Sequence, residues 1–166
     1  MDTIPEKYIR QLNELLQKKK VLLLDILTMT KAQTEAIAED SLDNLNNLIN
    51  SKQLKIDEID KLDEDFGTCC SSLKSTLGIS NLDQLDAAKL GGAASEGAKQ
   101  LKGLTAGILD VIRSISDIEK VNSQKSNKLL EQFGNEIKKI NQGKKANNAY
   151  KPGYVSAPSY FLDKKK

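Results

Sequence analysis

Histidine and tryptophan are absent from the sequence, and the only two cysteines are neighbours, Cys69 and Cys70. Without histidine the chain lacks a general base that titrates near neutral pH, and serine or cysteine nucleophiles usually need such a base. Two adjacent thiols alone cannot build a zinc site, and a bond between them would be strained. We therefore expect no enzyme, no metal site and no cofactor, and we expect both thiols to be buried or half-buried.

Long apolar runs are absent as well. The longest aliphatic run covers residues 21–24, far short of the roughly 20 residues that a membrane span needs. The first residues also lack the basic-then-apolar pattern of a signal peptide. These features predict a cytoplasmic protein without membrane insertion.

Charge is unevenly distributed along the chain. The net charge is +2, but residues 143–166 contain six lysines and one aspartate, which leaves about −3 for residues 1–142. A mildly acidic body argues against nucleic-acid binding. The composition therefore separates a body, residues 1–142, from a basic tail, residues 143–166.

The body is rich in leucine, isoleucine, lysine and acidic or amide residues, a composition typical of long helices and coiled coils. Apolar periodicity predicts a helix of about 34 residues after Pro5 and one of about 26 residues from 39–41 to Phe66. A short helix is expected at 81–89, followed by a flexible glycine-rich passage, and a third long helix at 98–141. The predicted fold is all-α: three long antiparallel helices forming an elongated bundle or coiled coil, with a short connecting helix and an extended C-terminal tail.

The third helix has the most regular apolar stripe, with Asn122 at an expected core position. A buried asparagine there commonly fixes the register of a bundle at some cost in stability. Glu119 stands beside Lys120, a pattern that we interpret as part of a solvated helix surface. Polar residues interrupt the stripes of the first two helices at Lys19, Lys52 and Asp63.

The third helix is also too long for its neighbours to cover, by roughly 15 to 25 Å. Its apolar stripe nevertheless continues through the surplus length, and leaving such a surface in water is costly. It should therefore bind a partner helix, dimerise or fold back on the body. The candidate client-binding residues are Leu129, Leu130, Phe133, Ile137 and Ile140.

The tail holds four of the seven aromatic residues of the chain: Tyr150, Tyr154, Tyr160 and Phe161. Aromatic rings bury a large area at low rotamer cost, which suits them as anchors for a partner. We hypothesise that these four residues dock on another protein. The alternative is that the tail folds back on the helical body.

The stretch 36–66 resembles the signature of the FlgN family of flagellar export chaperones. The similarity lies in the pair Lys52-Gln53 and in the spaced Ile56 and Ile59. It also lies in the end of the stretch, where the pair Leu62-Asp63 is followed by Phe66. Residues 73–85 and 108–130 are also similar to that family. The resemblance implies a cytoplasmic chaperone that binds the C-terminal segments of hook-associated (hook–filament junction) proteins, prevents their premature assembly and delivers them to the type III export gate. It also supports a docking role for a tyrosine of the tail, with the export gate or a client as the target.

Two other interpretations fit the same features. One is a non-catalytic helical adaptor or coiled coil whose stripe at 129–140 forms a homodimer. The other is a regulator that sequesters a helical partner. Both, like a chaperone, present an apolar helix face.

Overall fold

The described part of the chain folds into three long helices joined by short connections. The computed structural model describes residues 3–88 and 90–143, which form α1 (Ile4–Ala38), α2 (Leu42–Leu77), a 3-10 helix (Leu82–Ala88) and α3 (Gly92–Gly143). The predicted all-α bundle of three long helices with a short connecting helix is thereby confirmed.

Local sequence signals set the helix ends. At the start of α1, Thr3 and Glu6 form a capping box in which each backbone N–H donates to the other side chain, and Pro5 lies in the first turn. This arrangement satisfies N–H groups that have no partner inside the helix. At the far end of α2, Gly78 adopts a left-handed φ of 66°, which glycine accepts without a steric penalty.

Side-chain contacts define the directions of the helices. Lys19, which interrupts the α1 stripe, lies with its Nζ 2.7 Å from Oδ1 of Asp63, which interrupts the α2 stripe. A second pair joins Asp25 to Lys55 at 3.7 Å, so the positions on α2 fall as those on α1 rise, and the two helices are antiparallel. Asn13 Nδ2 donates to the Gly97 carbonyl at 3.0 Å, and Thr34 Oγ1 donates to Asn122 Oδ1 at 2.7 Å. These two contacts show that α3 runs parallel to α1. The first helix, α1, packs along both other helices.

The buried apolar side chains form two clusters. The main cluster fills most of the bundle, and its fully buried members include Ile9, Leu12, Leu73, Leu85 and Ile115. The second cluster is smaller and lies at the α1–α2 turn, where it contains Ala36, Ile37, Leu45 and Ile49. The bundle therefore ends at this turn in a small core of its own.

A layer of buried polar side chains joins all three helices near the second cluster. Lys52 Nζ lies 2.7 Å from Glu119 Oε1 and donates to Gln33 Oε1 at 2.9 Å. Asn122 is buried, as predicted, and donates to the Thr30 carbonyl at 3.1 Å. Our interpretation of Glu119 as a solvated surface residue was wrong, because the side chain is buried in the core and pairs with the lysine that interrupts the α2 stripe.

Two predicted helix boundaries were also wrong. α2 continues past Phe66 for about three turns to Leu77, because Cys69 and Leu73 extend its buried face. α3 begins at Gly92 rather than at 98, and Gly97 lies inside it. A Cβ atom on Gly97 would stand 2.6 Å from Ile9 Cγ2, so this glycine permits close packing of α3 on α1 rather than a flexible passage.

Neither a membrane span nor a metal cluster occurs among the described residues. Within 3–88 and 90–143, the helices are too polar over any long enough stretch to cross a bilayer. The same residues contain no group of three or more cysteine, aspartate or glutamate side chains placed to hold a metal ion.

Candidate protein-binding surface

The last part of α3 extends beyond the other two helices. Thr34 of α1 meets Asn122 of α3, and since the two helices are parallel, the last residue of α1, Ala38, stands level with about residue 126. α3 continues to Gly143. Residues 127–143, which we name the overhang, therefore project about 25 Å past the α1–α2 turn.

The overhang begins as part of the bundle and then leaves it. Leu129 is half-buried and packs against the second cluster of the α1–α2 turn. Leu130 beside it is also half-buried. Leu129 and Leu130, which are two of the five candidate client-binding residues, therefore lie where the core ends.

The other three candidates lie beyond the turn. Phe133 is 50% exposed and Ile140 is 55% exposed, while Ile137 is half-buried. Every other residue from 131 to 142 is exposed. Successive 3- and 4-residue steps place Phe133, Ile137 and Ile140 on one side of the helix, in line with Leu129. Within the described part of the chain, this stripe has no covering element.

The α1–α2 turn at the base of the overhang is acidic. Residues 32–51 contain four acidic residues and no lysine or arginine. The four, all exposed, are Glu35, Glu39, Asp40 and Asp43. The overhang itself carries both signs of charge, since its exposed residues include Lys128, Glu131, Glu136, Lys138 and Lys139.

This acidic turn is a feature that our sequence reasoning missed. A window-by-window charge count would have found it, since twenty consecutive residues without a cation stand out in a chain with 25 lysines and arginines. Its position at the base of the overhang follows only from the fold, because Leu129 and the turn are far apart in sequence.

Other surface features suit a partner helix less well. Exposed apolar side chains elsewhere in the described chain form smaller groups, such as Val21 with Leu24 on α1. A groove between α1 and the start of α3 is lined largely by polar side chains, among them Arg10, Glu14 and Lys99. The overhang differs from both in projecting beyond the other two helices.

The predicted tail-docking residues, Tyr150, Tyr154, Tyr160 and Phe161, lie outside the described residues. Both cysteines lie within them and are free thiols, Cys69 buried and Cys70 half-buried, as expected. Cys69 Sγ lies 3.5 Å from the Tyr8 carbonyl and from Gln11 Oε1. Burial raises the pKa of the Cys69 thiol, and the neighbouring Cys70 raises it further.

Comparison with known proteins places the chain in one family. Residues 1–153 match the family model described as FlgN protein, so the match includes all three helices and the overhang. The chain has no significant match among curated proteins or among solved structures.

Proposed function

Because the chain belongs to the FlgN family of flagellar export chaperones, we propose that it is a cytoplasmic chaperone for hook-associated (hook–filament junction) proteins. It binds the C-terminal helical segments of these clients and prevents their assembly before export. It then delivers them to the flagellar type III export gate. The family is one of chaperones that bind flagellar proteins, and the named clients and the delivery step are our proposal.

The observation that carries this proposal is the apolar stripe of the overhang, which no element of residues 3–88 and 90–143 covers. Fully burying a phenylalanine or isoleucine side chain is worth about 1.5–3 kcal/mol. A client helix laid along Phe133, Ile137 and Ile140 would therefore gain several kcal/mol, enough to offset part of the entropic cost of binding. Helix-in-groove recognition uses this spacing of apolar anchors.

Delivery to the gate requires a second contact that remains available when the client is bound. We assign it to the tail, with Tyr150, Tyr154, Tyr160 and Phe161 as docking residues. The support lies in the sequence: four rings stand among six lysines within residues 143–166. Rings anchor well in partner pockets, and the lysines favour an acidic gate surface.

The test is a charged substitution in the stripe. Phe133→Asp should weaken binding of the purified C-terminal segment of a hook–filament junction protein by more than about tenfold, measured by titration calorimetry. The thermal unfolding midpoint should change little, because the side chain is half exposed. The matched control is Leu109→Asp, since Leu109 lies on the same helix with 47% exposure but outside the overhang. If Phe133→Asp and Leu109→Asp bind the junction-protein segment with equal affinity, the assignment of the site to the overhang is refuted.

The stripe also fits a homodimer or a sequestered regulatory helix. Sedimentation of the free protein tests for the homodimer. A dimer that dissociates on Phe133→Asp would favour the adaptor interpretation over the chaperone interpretation. Removal of residues 146–166 tests the tail, because it should abolish gate binding without lowering the unfolding midpoint.

A further inference from the structure

The outer part of the overhang is a helix that no other element of the described chain supports. We infer that residues 134–143, which we name the outer overhang, unwind and re-form in the free protein, and that the partner helix holds them helical when it binds. Gly134 sets the balance between the two states. The effect of the partner rests on the proposed function, because it takes the stripe of the overhang as the binding surface.

The first line of support is the burial along α3, which ends before the outer overhang begins. Inside the bundle, Ile108 and Ile115 of α3 are buried. Leu129 packs against the second cluster, and beyond Leu130 every residue to 142 except Ile137 is exposed. Most of the stability of a helix in a protein comes from packing of its apolar face. The outer overhang therefore depends on the stability of the helix itself.

The second line of support is the sequence of the outer overhang, which favours a helix only weakly. Extension of a helix by one good helix former has an equilibrium constant of about 1–1.6 near 0 °C. Relative to alanine, glycine lowers this constant about fivefold and asparagine about threefold, so Gly134 and Asn135 together form a weak point. The residues that follow do not compensate, because Ile137 and Ile140 are β-branched and Asn141 is a second asparagine. The helix should therefore unwind from its C-terminal end as far as Gly134.

Interactions between side chains add little to the helix here. Lys128 and Glu131 just before the outer overhang, and Glu136 and Lys139 within it, have the i, i+3 spacing of a helical ion pair. None of these four side chains takes part in an ion pair in the described part of the chain. The last turn of α3 also contains no basic residue, although a cation there would oppose the partial negative charge of the helix end. The helical state of the outer overhang is therefore held mainly by its backbone hydrogen bonds.

Gly134 has no packing role within the described part of the chain. A Cβ atom on Gly134 would meet no other atom within 4 Å, whereas a Cβ atom on Gly97 would stand 2.6 Å from Ile9 Cγ2. The packing of α3 on α1 therefore requires Gly97, but Gly134 only weakens its own helix. Alanine would fit at position 134 and would make the helix more stable. The helicity of the outer overhang can thus be changed at this position without changing the bundle.

A partner reverses the balance by burying apolar side chains of the outer overhang. Leu129, Leu130 and Phe133 precede Gly134 and are available for a first contact. Ile137 and Ile140 join the stripe only when the outer overhang is helical, because 3- and 4-residue steps share a face only in a helix. The affinity of any partner is reduced by the fraction of molecules that lack this helix. Because burial of both isoleucines offsets that loss, the outer overhang favours partners whose apolar face spans the whole stripe.

The experiment measures helicity residue by residue in the free full-length protein. In NMR spectra of isotope-labelled protein, the Cα chemical shifts report the helical fraction at each residue. Ile137 and Ile140 should show less than about half of the helical shift of Ile108 and Ile115, which lie on the same helix inside the bundle. Shifts at Ile137 and Ile140 that equal those at Ile108 and Ile115 would overturn the inference.

The same spectra measure the effect of the partner. A saturating amount of the purified C-terminal segment of a hook–filament junction protein should raise the helical shifts of Ile137 and Ile140 to the values found inside the bundle. Shifts that stay low in the complex would contradict the role of the partner in forming the helix.

Gly134→Ala tests the weak point directly. This variant should raise the helical shifts of Ile137 and Ile140 in the free protein and bind the segment about 2- to 5-fold more tightly. Weaker binding by Gly134→Ala would overturn the inference, because it would show that the partner needs a glycine there for close approach.

The matched control is Gly103→Ala. A Cβ atom on Gly103 would also meet no other atom within 4 Å, but Gly103 lies in the part of α3 that runs alongside α1. The control should change neither the shifts of the outer overhang nor the affinity for the segment. An equal gain of affinity in Gly103→Ala and Gly134→Ala would contradict the assignment of the effect to the outer overhang.

Failure of the inference is distinguishable from failure of the proposed function. If Phe133→Asp abolishes binding of the segment while Ile137 and Ile140 of the free parent protein are as helical as Ile115, the site stands and the inference is wrong. If Phe133→Asp leaves binding unchanged, the proposed function fails at this surface and the role of the partner fails with it. The shifts of the free protein then still decide whether the outer overhang unwinds.

Discussion

Lys52 Nζ lies 2.7 Å from Glu119 Oε1, and the two side chains are only 1% and 6% exposed. The pair joins α2 to α3 inside the bundle, and Gln33 of α1 accepts a further hydrogen bond from the same ammonium group. Burying two charges carries a large desolvation cost that their attraction offsets only in part. Such a layer favours one alignment of the three helices, because any other register would leave a charge buried without its partner.

Removing one member of this pair should destabilise the protein strongly. We expect Lys52→Met or Glu119→Leu alone to lower the free energy of unfolding by about 3–5 kcal/mol, since each leaves the other charge buried. The double variant should recover most of that loss, because apolar side chains of similar size then fill the layer. Urea unfolding, followed by circular dichroism, measures the free energy of unfolding of the two single variants and of the double variant.

The matched control for this prediction is the pair of Lys55 and Asp25, which joins α2 to α1 at the surface. Its charged atoms lie 3.7 Å apart, and both side chains are partly exposed. Lys55→Met should cost less than about 1 kcal/mol. A double variant of Lys52 and Glu119 that is no more stable than the single variants would contradict the account of the buried pair.

Two glycines of α3 should respond to alanine in opposite directions. Gly97→Ala places a Cβ 2.6 Å from Ile9 Cγ2, so we expect a loss of about 1–3 kcal/mol from overpacking. A Cβ atom on Gly103 would meet no other atom within 4 Å. Gly103→Ala should therefore stabilise the helix by about 0.5–1 kcal/mol. Thermal unfolding of both variants provides the comparison, and a stabilised Gly97→Ala protein would show that the two helices do not approach closely there.

The adjacent thiols should differ in reactivity. Cys69 is buried and its pKa is raised, whereas Cys70 is half-buried. Because the thiolate is the reactive form, a thiol reagent at neutral pH should modify Cys70 first. Peptide mapping after partial labelling identifies the modified residue, and the single variants Cys69→Ala and Cys70→Ala supply the reference rates. Faster labelling of Cys69 would contradict its burial.

The raised pKa of Cys69 also predicts a dependence of stability on pH. A group whose pKa is higher in the folded state than in the unfolded state stabilises the fold below the unfolded pKa. That contribution is lost as the pH rises through the raised pKa of the folded thiol. As the pH rises from neutral through the ordinary range of a thiol, the parent protein should therefore lose more stability than Cys69→Ala, in which this titration is absent.

Periodicity in the sequence predicted the parts of the fold that depend on one helix at a time. The start of α1 next to Pro5 and the core position of Asn122 both followed from local sequence signals. The burial of Glu119 did not follow from our reasoning, because we compared Glu119 with Lys120, its neighbour in sequence. Adjacent residues do not share a helix face. Its position four residues after Ile115, on the buried stripe, was the relevant signal. The partner of Glu119 depends on how α2 and α3 align, which no single-helix pattern contains.

Finally, a cation at the end of α1 should stabilise the protein. Glu35 and Glu39 stand at the negative end of the helix without a cation in its last turn. Glu35→Lys and Glu39→Lys should each raise the free energy of unfolding by about 0.3–1 kcal/mol at low salt, because a cation there opposes the partial negative charge of the helix end. Urea unfolding at low and at high salt measures the effect, which should shrink as salt screens it. A loss of stability in both variants would show that the carboxylates are needed at this turn, against the helix-end argument.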